Sequence, residues 1–214
     1  MFRINRTDLE NISKSANSKI DQGNSNSRVF DLFKLTVCNI VEKMSALSIY
    51  DMCHWIIHIE RWINNQNYHN TRNYGRGTIV NLDLGAQNFL YEPSYTHPCI
   101  ILHEKRDTIL VVPCSSKKYG KGYIDIIDAT SADGFSVCTG VQVHSFRWVH
   151  KNRIISPVGR VDSNLLDKID SEMLKLIPSY KLEITKLLSE IDNMQQEIYE
   201  LKKEISDLQN TKSE

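Results

Sequence analysis

The chain has 214 residues, 41% of them hydrophobic and 24% charged, which suits one or two compact domains with appendages. Lys and Arg number 26 against 26 Asp and Glu, so no global positive field attracts nucleic acid, and any such site must be a local patch. No apolar run approaches the ~20 residues that span a bilayer, and Met1-Phe2-Arg3-Ile4-Asn5 lacks the apolar stretch of a signal peptide. The five cysteines (Cys38, Cys53, Cys99, Cys114 and Cys138) form no Cys-x-x-Cys. These features predict a reduced, cytoplasmic protein with no membrane partner, no disulfide framework and no zinc ribbon.

Residues 1–28 are mostly Asn, Ser, Asp and Lys and bury too little to offset their ordering entropy, so they are expected to be mostly flexible. A short helix over 7–12 is predicted, capped by Thr7 with Glu10 three residues on. Residues 29–66 carry two amphipathic stripes: Phe30, Phe33, Val37, Ile40, Val41, Met44 and Leu47, then Met52, Trp55, Ile56, Ile59, Trp62 and Ile63. Ser48, with Asp51 three residues on, marks the start of the second helix. These helices either pack on each other and on the domain that follows, or present the Trp55/Trp62 face to a partner. His54 and His58 lie one helical turn apart, but Trp55 stands where a metalloprotease helix has Glu, and no third ligand suggests itself.

A polar connector, 67–74, leads to strands predicted at about 77–84, 98–104, 107–114, 122–128, 138–149 and 152–156. Turn signals separate them at Lys105-Arg106-Asp107, Tyr119-Gly120-Lys121-Gly122 and Asp133-Gly134. Short sequential strands of this spacing imply an α+β chain built on a small, strongly curved antiparallel sheet or barrel.

A helix over 162–176 follows, capped by Asp162 or Ser163, and Pro178 suits the first turn of another. From there Ile184, Ile191, Ile198 and Ile205 fall at one heptad position and Leu187, Met194, Leu201 and Leu208 at the other. This predicts a coiled coil over 178–209. Ile at a with Leu at d favours two parallel strands, while Glu183, Glu190, Glu197 and Glu204 occupy g and only Lys202 at e complements them. Self-pairing and capture of a basic partner helix both fit that pattern.

Reactive side chains gather where the strands begin and end. Arg76-Gly77-Thr78-Ile79 opens the first strand. A loop carrying Glu92 and Tyr95 ends in His97-Pro98 before the second, and the third ends in Pro113-Cys114-Ser115-Ser116, followed by Lys117-Lys118. Further on lies Ser145-Phe146-Arg147-Trp148. Over about 75–176 this order and spacing resembles the MazF/PemK family of toxin endoribonucleases. There an Arg-Gly-Asp strand, a loop Glu, an Arg-Pro and a Pro-Ile-Thr-Ser strand end stand in the same sequence. His97 occupies the usual Arg place and Ser115 that of the reactive Thr.

The resemblance implies an SH3-like, MazF/CcdB-like β-barrel, preceded here by a helical segment and followed by a helix and a coiled coil. It also implies a homodimer, neutralised by a protein antitoxin, that cuts single-stranded RNA without metal or other cofactor, leaving 2′,3′-cyclic phosphate and 5′-hydroxyl ends. On this reading His97, Ser115 and Glu92 are the catalytic candidates, with Glu92 orienting His97. Arg76, Tyr95, Ser116, Lys117, Lys118 and Arg147 are the RNA-binding candidates. Metal-free cleavage needs a base for the 2′-hydroxyl proton and donors for the phosphorane charge, which His, Ser and Lys supply. Two alternatives remain: a barrel of the same shape that poisons a protein, as the CcdB gyrase poisons do, and a catalytically inactive RNA- or protein-binding module.

Overall fold

The structure is a computed structural model that describes residues 4–211, excluding the side chains of residues 181, 204 and 206–211. It divides into two compact units, Met1–Arg61 and Trp62–Glu214. The Leu208 heptad position thus lies outside the described side chains.

The first unit is helical. α1 (Arg6–Ser13) starts one residue before the predicted helix, and Asn5, not Thr7, caps it: the Asp8 N–H donates to the Asn5 side-chain oxygen at 3.2 Å. Asn5 lies outside the helix with an extended backbone, whereas Thr7 falls inside the first turn. α2 (Ser27–Met44) is capped by Asn26. α3 (Ile49–Asn64) starts where Ser48 accepts the Asp51 N–H at 3.1 Å and donates to the Asp51 carboxylate at 2.6 Å, as the Ser48–Asp51 spacing predicts. Arg28 pairs with Asp8, yet no residue of the three helices is buried.

The second unit is built on a seven-stranded antiparallel sheet. Its strands are β1 (Thr78–Asp83), β2 (Thr96–Lys105), β3 (Thr108–Ser115), β4 (Ile126–Ala129), β5 (Thr139–Gln142), β6 (Arg147–His150) and β7 (Ile154–Arg160). The order is β4-β5-β3-β2-β1-β7, with β6 also pairing β3. β3 therefore serves two sheets: its start pairs β6 and its last two residues pair β5. The strand predicted over 138–149 is two strands, β5 and β6, because the chain turns through a 3-10 segment at Val143–Ser145 between them. The strand predicted over 122–128 shortens to β4, preceded by a loop whose Gly120 N–H is held by the Asp128 carboxylate.

Side chains alternate across a pleated strand, and here both faces are covered. Ile79, Ile100 and Val112 enter one cluster with Val141, Leu165 and Ile169, while their neighbours Val80, Ile101 and Val111 enter another with Leu82 and Ile109. Burial on two sides explains why β2 and β3 read as nearly continuous apolar runs. α4 (Ser163–Lys175) seats Leu165 and Ile169 in the first cluster, with Asp162 accepting the Leu165 N–H at 2.8 Å. After Leu176 and Ile177, α5 (Pro178–Thr211) runs as one helix.

The polar connector is anchored by its own hydrogen bonds. Asn70 donates to the Lys151 carbonyl and to the Tyr74 hydroxyl, both at 3.1 Å, and its N–H donates to the Asn152 side chain. Beneath it the nearly buried Lys151 ammonium pairs with Glu104, whose other oxygen accepts the Tyr74 N–H at 2.8 Å. Burial alone would raise the Glu104 pKa. The Lys151 hydrogen bond and charge, with the Tyr74 amide, outweigh it and hold the carboxyl below its usual value.

Candidate active site

The β2–β3 pair sets the site. Their register runs Ile100 to Val112 and ends at Cys99 to Pro113, two residues short of His97 on one strand and of Ser115 on the other. At that edge β3 leaves β2 for β5, and the His97 ring takes over where the ladder stops: Nδ1 lies 3.1 Å from the Cys114 carbonyl oxygen. A carbonyl only accepts, so Nδ1 donates its proton to it. Burial is the largest influence on this ring and lowers its pKa. The backbone of Cys114 and of Ser94 favours the charged form, Lys117 opposes it, and the net result is a histidine below its usual 6.5.

Ser115, the last residue of β3, is followed by a 3-10 turn, Ser116–Lys118, and its hydroxyl makes no hydrogen bond capping that turn. Gly140 lets the turn lie against the sheet: a Cβ there would stand 2.9 Å from the Lys118 carbonyl carbon and 2.8 Å from the Ile126 methyl. Close seating keeps Lys117 near enough to act on His97. Lys118 reaches instead over the Tyr123 ring, 5.2 Å from its centroid. Arg147, paired with Val111, is half-buried, and its charge reaches the buried Cys99 thiol, two residues along β2 from His97.

The β1–β2 loop is pinched at its base, where the Tyr95 N–H donates to the Gly85 carbonyl at 2.6 Å and the Leu84 N–H to the Tyr95 carbonyl at 2.8 Å. Tyr95 has a positive φ of 66° and is half-buried. At the tip Phe89, Leu90 and Tyr91 are 80–95% exposed. Glu92 closes this tip on itself: its carboxylate and its N–H both bond to the backbone of Phe89. The groups that act on the His97 ring are Cys114, Ser94 and Lys117, without Glu92.

Arg76 stands away from this cluster. Its guanidinium holds the Asp170 carboxylate at 2.6 Å and the Leu102 carbonyl at 2.9 Å. Leu102 is five residues along β2 from His97, roughly 16 Å at ~3.3 Å per residue. Arg76 thus ties α4 to the sheet. His144 pairs with Asp125 at 2.6 Å, and His150 accepts the Asn152 N–H. Among the described residues no cluster of three or more His, Cys, Asp or Glu is arranged to hold a metal, and no helix is long and apolar enough to cross a membrane.

Sequence reasoning missed the two backbone carbonyl regions that hold His97, at Ser94 and Cys114, because a main-chain partner leaves no side-chain signal. It also passed over Phe89 and Leu90, whose signal was two large apolar residues inside a polar loop.

Residues 75–177 match the family model described as PemK-like, MazF-like toxin of type II toxin-antitoxin system. That segment is a PemK/MazF toxin domain. Toxins of this family are endoribonucleases. Among solved structures the chain is similar to MazF from Deinococcus radiodurans, at 15% identity and a TM-score of 0.42, covering 50% of this chain and 96% of that one. A MazE–MazF complex from the same organism gives 16% and 0.38, covering 49% and 96%. An endoribonuclease in complex with its cognate antitoxin from a mycobacterial species gives 15% and 0.36, covering 50% and 92%. Comparison with curated proteins gives no match. The toxin domain starts directly after the 67–74 connector and ends at Ile177, between α4 and α5. The helices of the first unit and the whole of α5 lie outside it.

Proposed function

We propose that the toxin domain is a metal-independent endoribonuclease that cuts single-stranded RNA in the cytoplasm. The observation that carries this reading is the His97 ring, bonded to the carbonyl of Cys114 directly before Ser115 and lowered in pKa by burial and by Lys117. His97 Nε2 takes the proton of a ribose 2′-hydroxyl, the 2′-oxygen attacks the adjacent phosphorus, and the bond to the 5′-oxygen breaks. The products are a 2′,3′-cyclic phosphate and a 5′-hydroxyl, the leaving oxygen taking its proton from solvent. Ser115 donates a hydrogen bond to a non-bridging oxygen, and Lys117 balances the added phosphorane charge. Lys118, Ser116 and Arg147 hold flanking phosphates, and Tyr95 stacks on a base. Glu92 acts indirectly, by shaping the loop tip.

The domain works as a homodimer, and a protein antitoxin neutralises it by covering the His97 edge; the exposed Phe89-Leu90-Tyr91 tip of the β1–β2 loop suits an apolar protein contact. The test is single-turnover cleavage of a long single-stranded RNA in EDTA, with product ends read out. Discrete fragments with cyclic phosphate and 5′-hydroxyl ends, lost in folded His97→Ala, are expected. Intact RNA at high protein concentration would overturn the reading.

A further inference from the structure

We propose that α5 pairs with α5 of a second copy of this chain as a parallel, in-register two-stranded coiled coil. This pairing holds two toxin domains side by side at its N-terminal end.

α5 is unbroken from Pro178 to Thr211, and most of its described a and d side chains are exposed, Ile184 being half-buried. Leu187, Ile191, Met194, Ile198, Leu201 and Ile205 are each 43–55% exposed along one stripe. A stripe of period 3.5 over four heptads is satisfied by another helix of the same period, not by a flat surface. β-branched residues at a with Leu or Met at d select two parallel strands.

Charge selects the orientation and the occupant. Glu183, Glu190 and Glu197 lie at g. In an antiparallel pair g faces g, so these carboxylates would oppose one another. In a parallel pair g faces e of the next heptad, where the partners are Leu188, Gln195 and Lys202. That arrangement has no like-charge contact and one attractive Glu197–Lys202 contact on each flank. The chain's own sequence therefore suits parallel self-pairing and disfavours the reverse.

The base of the coil is fixed. Leu165 and Ile169 are fully buried under the sheet, and Arg76 clamps Asp170. Only Leu176 and Ile177 separate α4 from α5, and their N–H groups bond back to the Met173 and Leu174 carbonyls. Parallel pairing then brings two toxin domains to one end, whereas antiparallel pairing would set them about 50 Å apart at 1.5 Å per residue. Domains joined at one end meet at a raised local concentration, so any contact between them forms within the pair.

The test uses the full chain with the exposed Cys38, Cys53 and Cys138 changed to Ser, and a single Tyr180→Cys or Leu201→Cys at d. Each variant alone is expected to give a disulfide-linked dimer under mild oxidation, because d faces d in a parallel coil. Adding Ile191→Lys and Ile198→Lys should lower the linked fraction about ten-fold while the unfolding transition of the toxin domain stays in place. Linkage by neither single variant, linkage only when the two are mixed, or linkage that survives the double lysine change would each overturn the proposal. None of these readings depends on RNA cleavage, so failure here and failure of the nuclease reading are separable.

Discussion

The His97 ring and the Cys114 carbonyl, 3.1 Å apart, tie the start of β2 to the end of β3 where the backbone ladder between them stops. The contact has Nδ1 donate its proton to the residue directly before Ser115 in the chain. Burial and, less strongly, Lys117 lower the pKa of this ring.

The rate of RNA cleavage should therefore rise with pH along a single limb whose midpoint lies below 6.5, and be flat through neutrality. Lys117→Ala removes a nearby positive charge and should move that midpoint upward. A limb at or above 6.5 in the wild type would mean that His97 is not the base.

The same lowered pKa affects stability. A group whose folded pKa is depressed binds fewer protons folded than unfolded between the two values, so stability is lost as pH falls from about 6.5 through the folded value. His97→Asn should flatten that part of the stability–pH curve, read by chemical denaturation at several pH values.

Ser115→Ala removes one hydroxyl without opening the core. Loss of a single preorganised donor typically lowers the chemical rate by about 10²-fold, and a loss near that size is expected in single-turnover cleavage, with Ser115→Thr retaining most activity. Unchanged cleavage in Ser115→Ala would remove Ser115 from the site.

Gly140→Ala places a methyl 2.9 Å from the Lys118 backbone. Overpacking of this kind costs about 1–3 kcal/mol. Because the turn must lift, Lys117 should also lose part of its effect on His97. Both changes are measurable, one by denaturation and the other by titrating the His97 ring resonances.

Lys151 is 4% exposed and paired with Glu104. Lys151→Ala leaves a partly buried carboxylate unpaired, a change that costs about 3–5 kcal/mol. Since Glu104 is depressed below its usual value, the stability it contributes is present above about pH 4.5 and fades as pH falls through the folded pKa. That acid step should vanish in the variant.

Where regular patterns dominate, the chain could be read directly. The period of Leu165 and Ile169 predicted α4, Pro178 marked the start of α5, and the apolar runs around Ile100 and Val112 predicted β2 and β3. The exceptions have local causes. A polar side chain just outside the periodic run, Asn5, took the cap from Thr7. Three residues at Val143–Ser145 broke an apolar stretch whose composition alone reads as continuous. At the site, the association of His97 with the β3 end was what the family resemblance implied. The Arg76–Asp170 clamp did not, because the partners are 94 residues apart and only the docking of α4 brings them together.

The β1–β2 loop has one further property. Its tip projects Phe89, Leu90 and Tyr91 almost wholly into solvent, while its base is closed by Gly85 and Tyr95 and its flanking strands pair from Ile79–Ile100 to Asp83–Thr96. An aromatic-directed protease would meet its first accessible peptide bonds of the toxin domain here. A chain nicked there would stay together through the β1–β2 ladder, giving a two-piece domain whose fragments separate only in denaturant. Protection of that cut by a bound RNA or antitoxin would map occupancy of the His97 edge without any readout of catalysis.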